Sequence, residues 1–304
     1  MLLRLSVTVN DIMTDSSGDI STVRDWAIRQ LSEGGVPDPS VDADLILGFV
    51  WGLTRGEVEA KALTGGVLPA DTHGERAQFT EFVERRAARE PLQHILGVAW
   101  FRSLELEVGP GVFVPRPETE LLAEFAVEAL RAQASPSPIG VDLGTGSGAI
   151  AISMATEVPH ATVYAVEKSP DALPWTRKNI ARYGNRVTLV EGDLARALTE
   201  LDGTVSVVAS NPPYIPDSAI PRDVEVARFD PAIALFGGED GLDVVRSLSL
   251  RARDLVHPGG VLIIEHGELQ GAEIRALLQA DGWRNPQTLR DLTQRDRYTR
   301  ATRP

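Results

Sequence analysis

No cysteine occurs among the 304 residues. The chain therefore has no disulfide, no thiolate metal site and no thiol nucleophile. Positive charge is scarce: 30 Lys and Arg stand against 43 Asp and Glu, a net charge of -13. A nucleic acid held through its phosphates needs a basic stripe, so this balance argues against such a partner while leaving room for a local basic pocket. No apolar run approaches the length of a bilayer span, and no membrane partner is expected. The five histidines show no ligand spacing, and no metal is expected. No small-residue cleavage site follows Met1 to Asn10, so no signal peptide is read and the cytoplasm is the expected location. Residues 10–21 are polar and contain glycine, which predicts a disordered leader over 1–19, with Met13 as an alternative start. There is no internal repeat and no low-complexity tract.

What is present is enough apolar sequence, 43% of residues, for two soluble domains. Residues 20–97 read as a helical, partner-binding domain without a catalytic constellation. Thr22-x-x-Asp25 and Thr54-x-x-Glu57 resemble capping boxes, and Ser40 precedes the apolar stripe Val41, Leu45, Phe49 and Val50. A charged helix over 71–90 buries Phe79, Phe82 and Val83, and Pro91 ends it. Residues 98–115 read as a β-hairpin linker, Trp100 to Val108 and Val112 to Val114, turning at Gly109-Pro110-Gly111. Pro117 suits the first turn of a helix running to about Ala132. From Ile139 strands at 139–143, 162–166, 187–190, 205–210 and 261–265 alternate with helices near 148–157, 170–183, 194–201, 241–256 and 270–281. That is a doubly wound α/β pattern. Only Gln294-Arg295-Asp296 separates the last two runs, 286–292 and 297–302, so they predict a closing antiparallel hairpin.

The carboxyl ends of four strands carry polar groups. The first runs into Asp142-Leu143-Gly144-Thr145-Gly146-Ser147-Gly148, where glycines allow a tight turn and close approach of a ligand. Gly144-x-Gly146-x-x-Ala149 also fits a dinucleotide fingerprint, with Glu167 near the distance of a ribose acid, so a nicotinamide dehydrogenase competes on this loop. Glu167 would accept from two ribose hydroxyls. Asp193 would accept from an adenine amino group, and Leu194 would pack on the ring. Asp142 would sit near the amino group or sulfonium of S-adenosylmethionine and would repel a pyrophosphate. This, with the antiparallel sheet end, favours a methyltransferase. The fourth strand, Val205 to Ala209, stops at Asn211-Pro212-Pro213-Tyr214, because two prolines cannot continue a ladder. The Asn211 side chain and the Asn211 and Pro212 carbonyls are stiffly held acceptors suited to a planar NH2 group. Tyr214 adds a ring for a flat substrate.

The residues Asp142 to Ile150 and Asn211-Pro212-Pro213-Tyr214 resemble the amino-methylating class I methyltransferases. Pro115-Arg116-Pro117-Glu118-Thr119-Glu120, Arg228-Phe229-Asp230-Pro231, Ala234-Leu235-Phe236-Gly237-Gly238 and Asp240-Gly241-Leu242 narrow this. Together they resemble the release factor glutamine methyltransferase family over about residues 20–302. The resemblance implies a class I, Rossmann-like α/β sheet closed by an antiparallel hairpin over 116–304, with a small N-terminal helical domain joined by the β-hairpin. It also implies N5-methylation of the glutamine in the Gly-Gly-Gln loop of class-1 peptide chain release factors. The family's cofactor positions fall on Gly144, Thr145, Gly146, Ser147, Gly148, Glu167, Leu194 and Asn211, and its substrate positions on Asn211, Pro212, Pro213 and Tyr214. Glu167 stands where an Asp is common, and Leu194 where some members carry a larger aromatic. Phe101 is a candidate wall of the glutamine pocket or a core aromatic. Arg116 and Glu118 brace the pocket or pin the helix, and His266 is the one histidine near the site. The rivals are a ribosomal-protein glutamine methyltransferase, a DNA adenine methyltransferase and a non-catalytic release-factor adaptor.

Overall fold

The computed structural model describes residues 19–304, divided into two compact units that meet in sequence at Leu96 and Gly97. The leader expected over 1–19, and the question of Met13, lie outside the described residues except for Asp19. That residue is part of the helical unit. Its side chain caps helix α1 (Ile20–Glu33) by accepting from Ser21 N–H, and its backbone bridges Val67. Thr22 therefore sits inside the first turn and does not start it.

Helices α2 (Pro39–Trp51), α3 (Arg55–Thr64), α4 (Glu75–Ala87) and α5 (Leu92–Leu96) complete this unit. Thr54 and Glu57 form the reciprocal capping box that their spacing predicts. Phe79, Phe82 and Val83 are buried in α4. In α2 the buried face is Ala43, Ile46 and Leu47, while Phe49 is 45% exposed. The stripe expected at Val41, Leu45, Phe49 and Val50 is therefore not the buried face, because this helix is apolar on nearly every side and its pattern does not decide which side is covered. Asp44 is fully buried and takes a two-pronged ion pair from Arg24 at 2.5 and 3.0 Å.

The second unit opens with a hairpin, β1 (Val98–Phe101) and β2 (Leu104–Glu107). It turns at Arg102-Ser103, not at Gly109-Pro110-Gly111, and Val112 to Val114 form no strand. The two glycines answer a different need. A Cβ on Gly109 would stand 2.5 Å from Trp175 Cζ2, and one on Gly111, at φ +91, would stand 2.7 Å from Asp171 Cβ. Val108, Val112 and Val114 are buried beside Ala99 and Ala172.

Helix α6 (Pro117–Arg131) leads into the sheet. Strands β3 (Ile139–Leu143), β4 (Thr162–Glu167), β5 (Val187–Glu191), β6 (Val205–Ser210) and β7 (Val256–Glu265) are parallel. β8 (Arg284–Arg290) and β9 (Asp296–Thr302) form the antiparallel hairpin, and the order is β5-β4-β3-β6-β7-β9-β8. Every residue of β6 is buried, as a central parallel strand covered on both faces requires. One face carries α6 and α7 (Ala149–Glu157), and the other α11 (Asp243–Leu255) and α12 (Gly271–Ala280). Helix α8 (Leu173–Arg182) follows β4, and short α9 (Val224–Phe229) and α10 (Ala232–Leu235) follow β6. The helix expected over 194–201 is only a 3-10 turn at Thr199–Leu201. Leu198, at φ +62, interrupts any helix there. Among the described residues no helix is long and apolar enough to cross a membrane.

Candidate active site

The chain leaves β3 and builds outward through β4 and β5, then returns to the other side of β3 as β6. The crevice above β3 and β6 is therefore the topological switch point, where open α/β sheets bind ligands. At β3 the backbone turns through Gly144, Gly146 and Gly148, at φ +80, +56 and +90. A Cβ on Gly146 would meet nothing within 4 Å, and one on Gly144 would reach only Leu194 Cδ2, at 4.0 Å. The glycines are thus required by backbone conformation, and the outer surface of the loop is open. Helix α8 fixes the loop from behind. Thr176 Oγ1 donates to the Gly146 carbonyl at 2.6 Å and Asn179 Nδ2 to the Ser147 carbonyl at 2.9 Å.

Above the loop lies an open cleft whose lining includes Gly144, Gly146, Val166, Glu167, Leu194, Asn211 and Pro213 as well as Phe113, Pro231, Ile233 and Ala234. Glu167 is 8% exposed. Its Oε2 accepts from Gly146 N–H at 2.8 Å, and its Oε1 from the N–H groups of Lys168 and Ser169 at 2.9 and 2.8 Å. Three of a carboxylate's roughly four acceptor sites are thus used to shape the loop, and one is left for a ligand hydroxyl.

Asp142 sits beneath the loop, fully buried and outside the cleft lining. Its Oδ2 accepts from Thr145 Oγ1 at 2.5 Å and Ala151 N–H at 3.2 Å, and its Oδ1 has no partner. Burial raises its carboxyl to about 7 against the pull of those two bonds. Thr145 and Ser147 are themselves buried supports of the turn. Asp193 is exposed, caps its own loop through Ala195 N–H at 2.9 Å, and is not among the residues lining the cleft.

At the end of β6, Asn211 Nδ2 donates to Thr119 Oγ1 at 3.1 Å. Behind them is Glu265, at the end of β7 and 1% exposed. Burial raises its carboxyl to about 8, opposed by hydrogen bonds from Thr119 and Asn211 and by Arg297, and reinforced by Glu118. Oε2 of Glu265 has no partner. Among the described residues nothing donates to the backbone carbonyls of Asn211 or Pro212. Tyr214 is half-buried and absent from the cleft lining. Burial and the nearby Glu265 carboxyl raise its hydroxyl well above the usual range, while a hydrogen bond with Arg297 pulls the other way. His266 is fully buried with its pKa lowered by burial. Its Nδ1–H donates to the Gly267 carbonyl at 2.8 Å, which leaves Nε2 to accept from Thr299 Oγ1 at 2.8 Å. It braces the hairpin.

Phe101 does not wall the cleft. It is 1% exposed in the core with Leu104, Leu106 and Leu122, because its strand turns Trp100 outward and Phe101 inward. The aromatic at the cleft is Phe113, with the Arg116 guanidinium 5.0 Å from its ring centre. Arg116 also pairs with Asp230 at 2.5 Å. The sequence reading missed Phe113, Thr119 as a partner of Asn211, and Glu265. The quoted Pro115 to Glu120 run was the available signal for Thr119.

Residues 22–97 match the family model described as PrmC N-terminal domain, and residues 104–257 match the methyltransferase small domain. The release factor glutamine methyltransferase of Streptomyces coelicolor is 47% identical over 277 residues, spanning 90% of this chain and 95% of that protein. The chain belongs to the release factor glutamine methyltransferase family. The 4-amino-L-phenylalanine/4-methylamino-L-phenylalanine methyltransferase of Streptomyces pristinaespiralis is 37% identical, over 89% of this chain and 90% of that one. A 16S rRNA N2 G1207 methyltransferase of T. Thermophilus, solved with AdoMet and guanosine, shares the fold at 22% identity and TM-score 0.51, over 68% of this chain and 50% of that chain.

Proposed function

We propose that this chain transfers a methyl group from S-adenosylmethionine to the side-chain N5 of the glutamine in the Gly-Gly-Gln loop of class-1 peptide chain release factors. The reading is carried by one observation: Asn211 lines the same cleft as Gly144, Gly146 and Glu167, while its Nδ2 donates to Thr119 Oγ1. The cleft suits the cofactor, since Val166, Leu194 and Ala234 offer apolar walls for adenine and Glu167 keeps an acceptor for ribose. Asp142 acts beneath the loop as its brace. Release factors are cytoplasmic, and we place the chain there. We assign the helical unit, 20–97, to docking the protein substrate.

When bound, the cofactor supplies a methyl on a positively charged sulfur and leaves as S-adenosylhomocysteine. The acceptor amide is a weak nucleophile because its lone pair is delocalised, so this chain's task is orientation. Asn211 Oδ1 and the Pro212 carbonyl each accept one substrate N–H and hold the nitrogen in line with the methyl. Such positioning can remove several kcal/mol of barrier. As the N–C bond forms and the S–C bond breaks with its electron pair going to sulfur, the nitrogen becomes positive. The two acceptors then bind it more strongly than in the ground state. The nitrogen afterwards loses one proton to water.

The test is transfer of labelled methyl to purified release factors, followed by mass spectrometry of the modified residue. Label on the Gly-Gly-Gln glutamine is expected. Label found only on free 4-aminophenylalanine, the acceptor in the name of one relative, would overturn the reading.

A further inference from the structure

Asn211 can meet a substrate NH2 productively only with its oxygen outward, and a carboxamide can be turned either way. Nδ2 has two hydrogens. One goes to Thr119 Oγ1 at 3.1 Å, and the buried Glu265 carboxyl lies beside both side chains, whose polar groups hold its pKa down against burial. We propose that Thr119 and Glu265 are positioning residues for methyl transfer: together they take the hydrogens of Asn211 Nδ2 and turn Oδ1 into the cleft as a fixed acceptor. The inference rests on the reading of Asn211 given above.

A threonine hydroxyl alone would tolerate either orientation, because it can donate or accept. Glu265 removes that freedom once its carboxyl is ionised: a carboxylate only accepts, so a Thr119 that donates to it can only accept from Asn211. A reversed Asn211 would then set Oδ1 against the carboxylate and aim two N–H donors at the donors of the substrate. Inside a buried network such a mismatch is costly. Thr119 is 4% exposed and Glu265 1%, and neither lines the cleft, so both act through Asn211. Arg297, Glu118 and Tyr214 are the charged or titratable groups felt by Glu265, and Tyr298 is placed within its influence.

The experiment measures kcat, cofactor affinity and thermal unfolding for Thr119→Val, Thr119→Ser, Glu265→Leu and Asn211→Ala with a release factor substrate. Expected is a kcat loss of at least 10-fold in Thr119→Val and Glu265→Leu, little change in cofactor affinity, and near-parental kcat in Thr119→Ser. Near-parental kcat in Thr119→Val with a slow Asn211→Ala overturns the positioning role and leaves the reading of Asn211 standing. Near-parental kcat in Asn211→Ala overturns that reading itself. Equal loss in Thr119→Ser and Thr119→Val assigns the effect to packing and overturns the proposal. A second measurement needs no variant of Thr119 or Glu265: hydrogen exchange of the Asn211 side-chain NH2 in the parental protein, with Asn211→Ala identifying the signal. Strong protection relative to an exposed Asn such as Asn185 is expected, and exchange as fast as Asn185 overturns it.

Discussion

Arg116 and Asp230, 114 residues apart, meet at 2.5 Å. Arg116 is the residue before helix α6, and Asp230 stands just before Pro231, Ile233 and Ala234, which line the cleft. The pair thus ties the Pro115 to Glu120 segment to the cleft wall. The Asp230 side chain is fully buried, whereas that of Arg116 is 25% exposed.

Arg116→Ala should therefore weaken both fold and cleft. Loss of a charge-assisted bond to a buried carboxyl costs about 1.5–3 kcal/mol. Urea unfolding should show a fall of that order, and calorimetry a weaker affinity for S-adenosylmethionine. An unchanged cofactor affinity would separate the pair from the cleft.

Glu167→Ala should reduce cofactor affinity by about 1.5–3 kcal/mol, since it removes a ribose acceptor and releases the Gly146 N–H. Calorimetry decides this. Equal affinity in a folded variant would remove Glu167 from the cofactor site.

Much of this geometry was legible in the sequence, for local reasons. Apolar runs ending in Gly144, Glu167 and Asn211 marked strand ends, and two prolines after Asn211 could only terminate a strand. The misread parts depend on contacts that no local pattern carries. Gly109 and Gly111 look like a turn, yet they are glycine because Trp175 and Asp171 crowd them. The hairpin turns instead at Arg102, a non-glycine residue at φ +53. The Thr119–Asn211 bond joins residues 92 apart, and Glu265 reaches them from a third element. Nothing in the spacing announces that meeting.

The contribution of Asp142 and Glu265 to stability should fall as pH rises from about 4 to 8. Burial raises Asp142 to about 7 and Glu265 to about 8, whereas in an unfolded chain they titrate near about 3.9 and 4.3. Between those limits the folded state binds more protons, so the stabilisation is full below the unfolded values and is lost as pH rises through the folded ones. The ligand-free chain should resist urea less at pH 8.5 than at pH 5.5. Glu265→Gln should shrink that difference by on the order of 1–3 kcal/mol. A difference unaltered by the substitution would contradict the Glu265 assignment.

A chain beginning at Gly97 should still bind S-adenosylmethionine, because the cleft residues run from Gly111 to Val244. It should methylate a full-length release factor poorly relative to a short Gly-Gly-Gln peptide. Equal rates on both substrates, each compared with the full chain, would remove the docking role from residues 20–97.

Asn211→Ala tests the central claim most directly. It removes one oriented acceptor from a nitrogen that becomes positive, worth about 1.5–3 kcal/mol as a charge-assisted bond. Single-turnover methylation of a release factor at saturating cofactor should slow by roughly 10- to 150-fold, with cofactor affinity changed much less, since Glu167 and the glycine loop remain. A folded Asn211→Ala variant that methylates at near the parental rate would contradict the account.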